Sequence, residues 1–153
     1  MRHAVLILII SLIVVSCGKD KYTSAPQLKF KSVEPNHVTS GAIIGSSAIP
    51  LITLEITDKE GDLGFNPGKD TSKIYIRNLL INRLDSFYLP SEMKFISTTN
   101  FQADIRITTF DILRGSSRPR PKIDTLIYEI YVVDFAKNKS NVITTDPLYY
   151  VFP

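Results

Sequence analysis

Between Gln27 and Phe152 no stretch of the chain supports an amphipathic helix of useful length. Apolar residues recur in short alternating runs, cut apart by Gly, Pro, Asn and Asp. That one pattern restricts the fold more than any other feature. Gln27–Pro35 alternates through Leu28, Phe30 and Val33, and Pro50–Asp58 carries Leu54 and Ile56 against Glu55 and Thr57. Lys73–Arg83 continues through Ile74, Ile76, Leu79, Leu80 and Ile81, and Phe87–Leu89 reads as a short strand before an irregular or one-turn helical segment. Ala103–Leu113 alternates strongly, Ile123–Asp134 is the longest β-branched and aromatic run, and Val142–Phe152 is a last strand interrupted by Pro147. Abundant Ile, Thr, Tyr, Phe and Val favours strands. About six to eight strands with frequent turn signals predict an all-β fold, an antiparallel β-sandwich, with a small barrel as the alternative.

The N-terminus has a different character. Met1-Arg2-His3 is followed by an apolar run from Ala4 to Val15 and then by Ser16-Cys17-Gly18-Lys19-Asp20. A basic start and a short apolar stretch form the pattern of an export signal. A bilayer core needs roughly 20 helical residues, so a run of about a dozen is a poor permanent span. Val14-Val15-Ser16-Cys17 resembles the lipobox of bacterial lipoproteins, which implies cleavage before Cys17 and lipidation of its thiol. Cys17 is the only cysteine, so no intramolecular disulfide is available, and acylation would remove a free thiol from an exported protein. Residues 1–16 are thus read as a lipoprotein signal peptide, 17–26 as the lipidated Cys and a flexible polar tether, and 27–153 as one domain. The net charge of +3 includes Arg2 of the signal, so the mature chain is near neutral and nucleic acid is not an expected partner.

Two stretches inside the domain carry a further resemblance. Ile56-Thr57-Asp58-Lys59-Glu60-Gly61-Asp62-Leu63-Gly64, and Ile130 to Asn141 followed by Val142 and Thr144, together with the lipobox, resemble uncharacterised lipoproteins of Bacteroidetes-type bacteria. Those carry a single immunoglobulin-like β-sandwich after the tether. The resemblance implies that fold and an outer-membrane, lipid-anchored location, and it implies no catalytic activity.

Asp58, Glu60 and Asp62 alternate in one loop with Gly61 and Gly64, an arrangement of hard oxygen donors suited to Ca²⁺. If Pro50–Asp58 and Ile123–Asp134 are the B-like and F-like strands of such a sandwich, their following loops share a pole. Asp134 and Asn138 then join the candidate ligands. The competing reading is that Asp and Gly are simply good turn formers. Arg114, Arg118, Arg120 and Lys122 crowd another turn, either as an anion-binding patch or as a solvated loop. Asp124-Thr125-Leu126 resembles a short O-glycosylation motif of exported Bacteroidetes proteins, with Thr125 as acceptor. Tyr149, Tyr150 and Phe152 form either an aromatic surface or alternate core positions.

No catalytic constellation is present. With His3 in the signal, His37 is the remaining histidine, and it has neither a cysteine nor a phosphate loop to work with. The expectation is a non-catalytic binding or accessory module on the cell envelope that engages an envelope protein. The alternatives are a carbohydrate- or small-ligand-binding lipoprotein of a nutrient-capture system, and a structural protein with calcium-stiffened loops.

Overall fold

The computed structural model describes residues 21–65, 71–90, 93 and 99–153. Residues 1–20, with the expected signal segment and Cys17, lie outside the described residues. The strands are β1 (Gln27–Glu34), β2 (His37–Thr39), β3 (Leu51–Asp58), β4 (Lys73–Asn78), β5 (Arg83–Tyr88), β6 (Phe101–Thr108), β7 (Lys122–Leu126), β8 (Tyr128–Val133), β9 (Ile143–Thr144) and β10 (Leu148–Phe152). A 3-10 turn, Phe110–Ile112, follows β6. The chain is all-β. Its sheets run β1-β3-β6, β2-β10-β7 and β5-β4-β8-β9, antiparallel throughout except for the parallel β2–β10 pair.

The buried faces of these sheets share one core, as in a β-sandwich. Leu28 and Val33 of β1, Ile52, Leu54 and Ile56 of β3, and Phe101 and Ile105 of β6 supply one side. Ile74 and Ile76 of β4, Leu126 of β7, Tyr128, Ile130 and Val132 of β8, and Leu148 of β10 supply the other. The period-2 pattern decides which side chains turn inward, and each fully buried aliphatic side chain contributes about 1.5–3 kcal/mol. No helix among the described residues is long and apolar enough to cross a membrane.

Three of the expected strands are shorter than their apolar runs; the one expected over Ala103–Leu113 ends at Thr108, where the 3-10 turn takes over. The run from Lys73 stops at Asn78, whose Oδ1 accepts a hydrogen bond from the Leu80 N–H while its Nδ2 donates to the Arg114 carbonyl, both at 3.0 Å. That Asn-initiated turn competes with the ladder, and Asn82 closes it with φ of 50°. Leu79, Leu80 and Ile81 therefore sit exposed on a hairpin tip instead of in a strand. The long run from Ile123 splits at Ile127, where the pairing steps from Leu126 opposite Leu148 to Glu129 opposite Thr144. Thr145 bridges the break: its Oγ1 accepts from the Tyr128 N–H at 3.1 Å and its N–H donates to the Tyr128 carbonyl at 3.0 Å. β7–β8 and β9–β10 thus form one interrupted hairpin that joins the second and third sheets. The expected segment after Pro90 falls mostly on residues 91–92 and 94–98, outside the described residues.

Candidate metal centre and the opposite pole

β3 ends at Asp58 and β8 ends just before Asp134, so the loops that follow them meet at one end of the domain. The Phe135 N–H donates to the Asp62 carbonyl and the Ala136 N–H to Asp62 Oδ2, each at 3.1 Å. Across this junction Asp58, Asp62 and Asp134 each bring a carboxylate oxygen within 4.8 Å of the others. Asp58 and Asp134 are fully buried and Asp62 is half-buried.

Local backbone geometry fixes all three. Gly61 turns the chain with φ of 65°, which lets its N–H donate to Asp58 Oδ2 at 2.5 Å, with Asp62 N–H adding a longer bond at 3.3 Å. Ser72 pins the far side of the loop, its hydroxyl accepting from the Gly64 N–H at 2.6 Å and donating to the Gly64 carbonyl at 2.7 Å. On the other loop, Asn138 clasps Asp134 twice, through its N–H to Oδ1 at 2.7 Å and through Nδ2 to Oδ2 at 2.9 Å. Lys137 occupies φ of 70°, a conformation that costs a non-glycine residue roughly 1–2 kcal/mol. The Asp134–Asn138 clasp holds it there.

After those bonds are made, Asp58 Oδ1 and Asp62 Oδ1 remain buried without a hydrogen-bond partner among the described residues. Native proteins seldom leave a buried carboxylate oxygen unpaired. Burial, and then the charge of Asp62, push the Asp58 carboxyl up to about 6. Burial, followed by the charge of Asp134, also raises Asp62. The pocket is chemically short of positive charge and can be balanced by protons or by a cation.

Of the five residues expected from the sequence, three converge and a fourth, Asn138, orients one of them. Glu60 does not join them: alternation along the loop turns it outward, where it accepts from the Ser24 hydroxyl at 3.0 Å.

That contact belongs to a feature the sequence did not suggest. Lys21–Pro26, polar enough to look like free tether, lies against this same pole. The Thr57 hydroxyl donates to the Lys21 carbonyl and the Lys59 N–H to the Thr23 carbonyl, both at 3.1 Å. Asn138 Nδ2 donates to the Ser24 carbonyl at 3.2 Å as well as to Asp134. The bonds run mainly to backbone carbonyls, which carry no residue-type signature.

The opposite pole is where β3 begins. The β2–β3 loop, the β4–β5 tip and the turn after β6 expose Ile43, Ile44, Leu79, Leu80, Ile81 and Phe110 there. A cleft of about 650 Å³ opens at this end, bounded by Phe87, Phe110, Tyr150, Asp85, Asp111 and Arg114.

The basic turn nearby is committed to structure. Asp124 is fully buried, paired with Arg118 at 2.5 Å and Lys122 at 3.1 Å, and accepts from Ser116 N–H at 2.7 Å. Burial raises its carboxyl, but Arg118, Ser116 and Lys122 together outweigh burial and hold it well below the usual carboxylate range. Lys122 also donates to the Ser116 carbonyl, and Arg120 and Lys122 lie over the Phe152 ring. Two of the four cations therefore close the loop onto its own aspartate.

Thr125 is exposed on β7, while Asp124 and Leu126 beside it are buried, so a glycosylating enzyme acting on the folded domain meets Thr125 alone. In β10, Phe152 enters the protein, Tyr150 is half-buried against it with ring centroids 4.2 Å apart, and Tyr149 is exposed. His37 is exposed, with Asn36 as its side-chain neighbour at 3.5 Å.

No family model matches the chain, and no curated protein matches it. Among solved structures it is similar to a β-glucosidase from Listeria innocua in complex with gluconolactone, at TM-score 0.33 and 13% identity, covering 88% of this chain. The same enzyme in complex with glucose gives TM-score 0.32 and 12% identity. The chain spans 17% of the length of that enzyme in both.

Proposed function

We propose that this chain is a lipid-anchored, non-catalytic module of the bacterial cell envelope, an immunoglobulin-like β-sandwich that engages an envelope protein through the pole farthest from its anchor. The observation that carries the reading is polarity. The segment leading back toward Cys17 is bonded to one end of the domain, and exposed apolar side chains gather at the other, with Ile43 77% and Ile44 67% exposed. Side chains of that size exposed together at one end suit a contact surface. The strand order supports the immunoglobulin-like assignment: a β1-β3-β6 sheet faces one in which β9–β10 lies between a parallel β2 and the antiparallel β7–β8, followed by β4 and β5.

Two experiments test this. Cys17→Ala should move the protein from the membrane to the soluble fraction of the envelope, and retention in the membrane would defeat the anchoring. A photocrosslinker at Ile44 or Leu80 should trap a discrete envelope protein in living cells, while the same group at exposed Asp104 of β6 should not. Equal capture at both positions would defeat the polarity argument.

The cleft favours a second reading, capture of a carbohydrate or small ligand. Aromatic faces beside carboxylate and guanidinium groups suit a ring with hydroxyls. Binding of glycans that survives Asp111→Asn and Phe110→Ala would place any such activity elsewhere.

A further inference from the structure

We propose that Asp58, Asp62 and Asp134 form a Ca²⁺ site, and that the ion fastens the Lys21–Pro26 segment to the domain by fixing Asn138 between the site and that segment. The ion-binding half stands independently of lipid anchoring.

The donor set is all carboxylate oxygen, without His or Cys, which selects a hard cation over zinc or copper. Three carboxylates within 4.8 Å of one another hold excess negative charge in a largely buried space. Convergence of acids alone would not identify a ligand. The second observation is that Asp58, with no exposed surface, leaves Oδ1 unpartnered, and so does Asp62. Those oxygens have lost water and gained no donor, a state that an ion relieves. Backbone carbonyls and waters complete Ca²⁺ coordination in irregular loops, whereas Mg²⁺ demands a smaller, near-octahedral arrangement. Two loops from different strands fit the more permissive ion.

The coupling follows from one side chain. Asn138 Nδ2 donates both to Asp134 Oδ2 at 2.9 Å and to the Ser24 carbonyl at 3.2 Å. Lys59, next to Asp58, donates its N–H to the Thr23 carbonyl at 3.1 Å. Both loops that would hold the ion therefore also hold the segment. Ordering them with Ca²⁺ lowers the frequency with which the segment lifts away.

The test uses the full chain purified in detergent, with Ca²⁺ alone as probe. Millimolar CaCl₂ should raise the thermal midpoint by at least about 5 °C over EDTA, as mass action at about a hundredfold excess over Kd requires, and MgCl₂ at equal concentration should give less than half of that shift. Cleavage of the Lys21–Tyr22 bond by lysyl endopeptidase, which works in chelator, should slow about tenfold in CaCl₂. Asp62→Asn, at a half-exposed position the fold tolerates, should abolish both effects. Asn138→Ala should keep most of the thermal shift and lose the protection. No CaCl₂ shift in the parent, or an unchanged shift in Asp62→Asn, overturns the site. A thermal shift with unchanged cleavage at Lys21 overturns the coupling.

Discussion

Replacing Asp58 by Asn should make the metal-free protein more stable, although Asp58 is fully buried and its Oδ2 accepts from two backbone N–H groups. Asn keeps the shape and an oxygen for the Gly61 N–H, and its amide can donate to Asp62. What it removes is charge. The Asp58 carboxyl moves from an ordinary 3.8 to about 6 in the folded state. At about 1.4 kcal/mol per pH unit, the ionised side chain costs the fold about 3 kcal/mol. An acid whose folded pKa lies above its unfolded value favours folding at low pH. That advantage is complete below 3.8 and gone above about 6. In EDTA at pH 7.5, Asp58→Asn should therefore gain about 3 kcal/mol, or about 10 °C in midpoint for a domain of this size. At pH 4.5 the parent is largely protonated when folded, and the gain should fall to about 1 kcal/mol. Thermal unfolding followed by circular dichroism at the two pH values reads both numbers. A variant less stable than the parent at pH 7.5 in chelator, or one with equal gains at both pH values, would refute the electrostatic reasoning.

Other sites give losses of distinct size. Asp124→Asn removes the charge of a fully buried carboxylate and strands the largely buried Lys122 ammonium, so chemical denaturation should show a loss of about 3–5 kcal/mol, against less than about 1 kcal/mol for Arg118→Ala on its exposed side. Equal effects would mean that the pair is not what holds the turn. Gly115→Ala places a methyl group onto Asp124 Oδ2 and within 2.7 Å of the Phe152 ring, and overpacking of that kind costs about 1–3 kcal/mol; a neutral result in the same denaturation assay would show that the knot yields. Ser72→Ala leaves the buried Gly64 N–H unpaired and should cost about 1–3 kcal/mol, with faster amide exchange at Gly64 as the local readout.

Much of the candidate centre is legible in the amino-acid sequence because two simple periodicities carry it. Asp58 ends a strand whose alternation is visible, Asp62 follows it in the loop, and Gly61 and Gly64 mark the turn. Asp134 ends the longest β-branched run. Placing that run beside the first needs the sandwich topology implied by the resemblance, since nothing local in Asp134 or Asn138 points across to Asp58. Glu60 shows the limit of spacing. It alternates with the other two acids, yet the loop turns it outward to Ser24.

Local pattern is enough to specify an all-β chain, the places where it turns, and the apolar face of each strand, because these follow from a period of two and from the backbone preferences of Gly, Pro and Asn. The resemblance of Val14-Val15-Ser16-Cys17 to a lipobox is local in the same way. Folding in three dimensions settles the rest: which carboxylates share a pocket, which lose water without gaining a donor, and where the Lys21–Pro26 segment lies. It also turns the basic cluster at Arg118 and Lys122 from a candidate anion surface into a clamp on buried Asp124. Each of these depends on groups that meet across long sequence separations, often through backbone carbonyls that every residue type possesses, and composition and periodicity hold no record of such meetings.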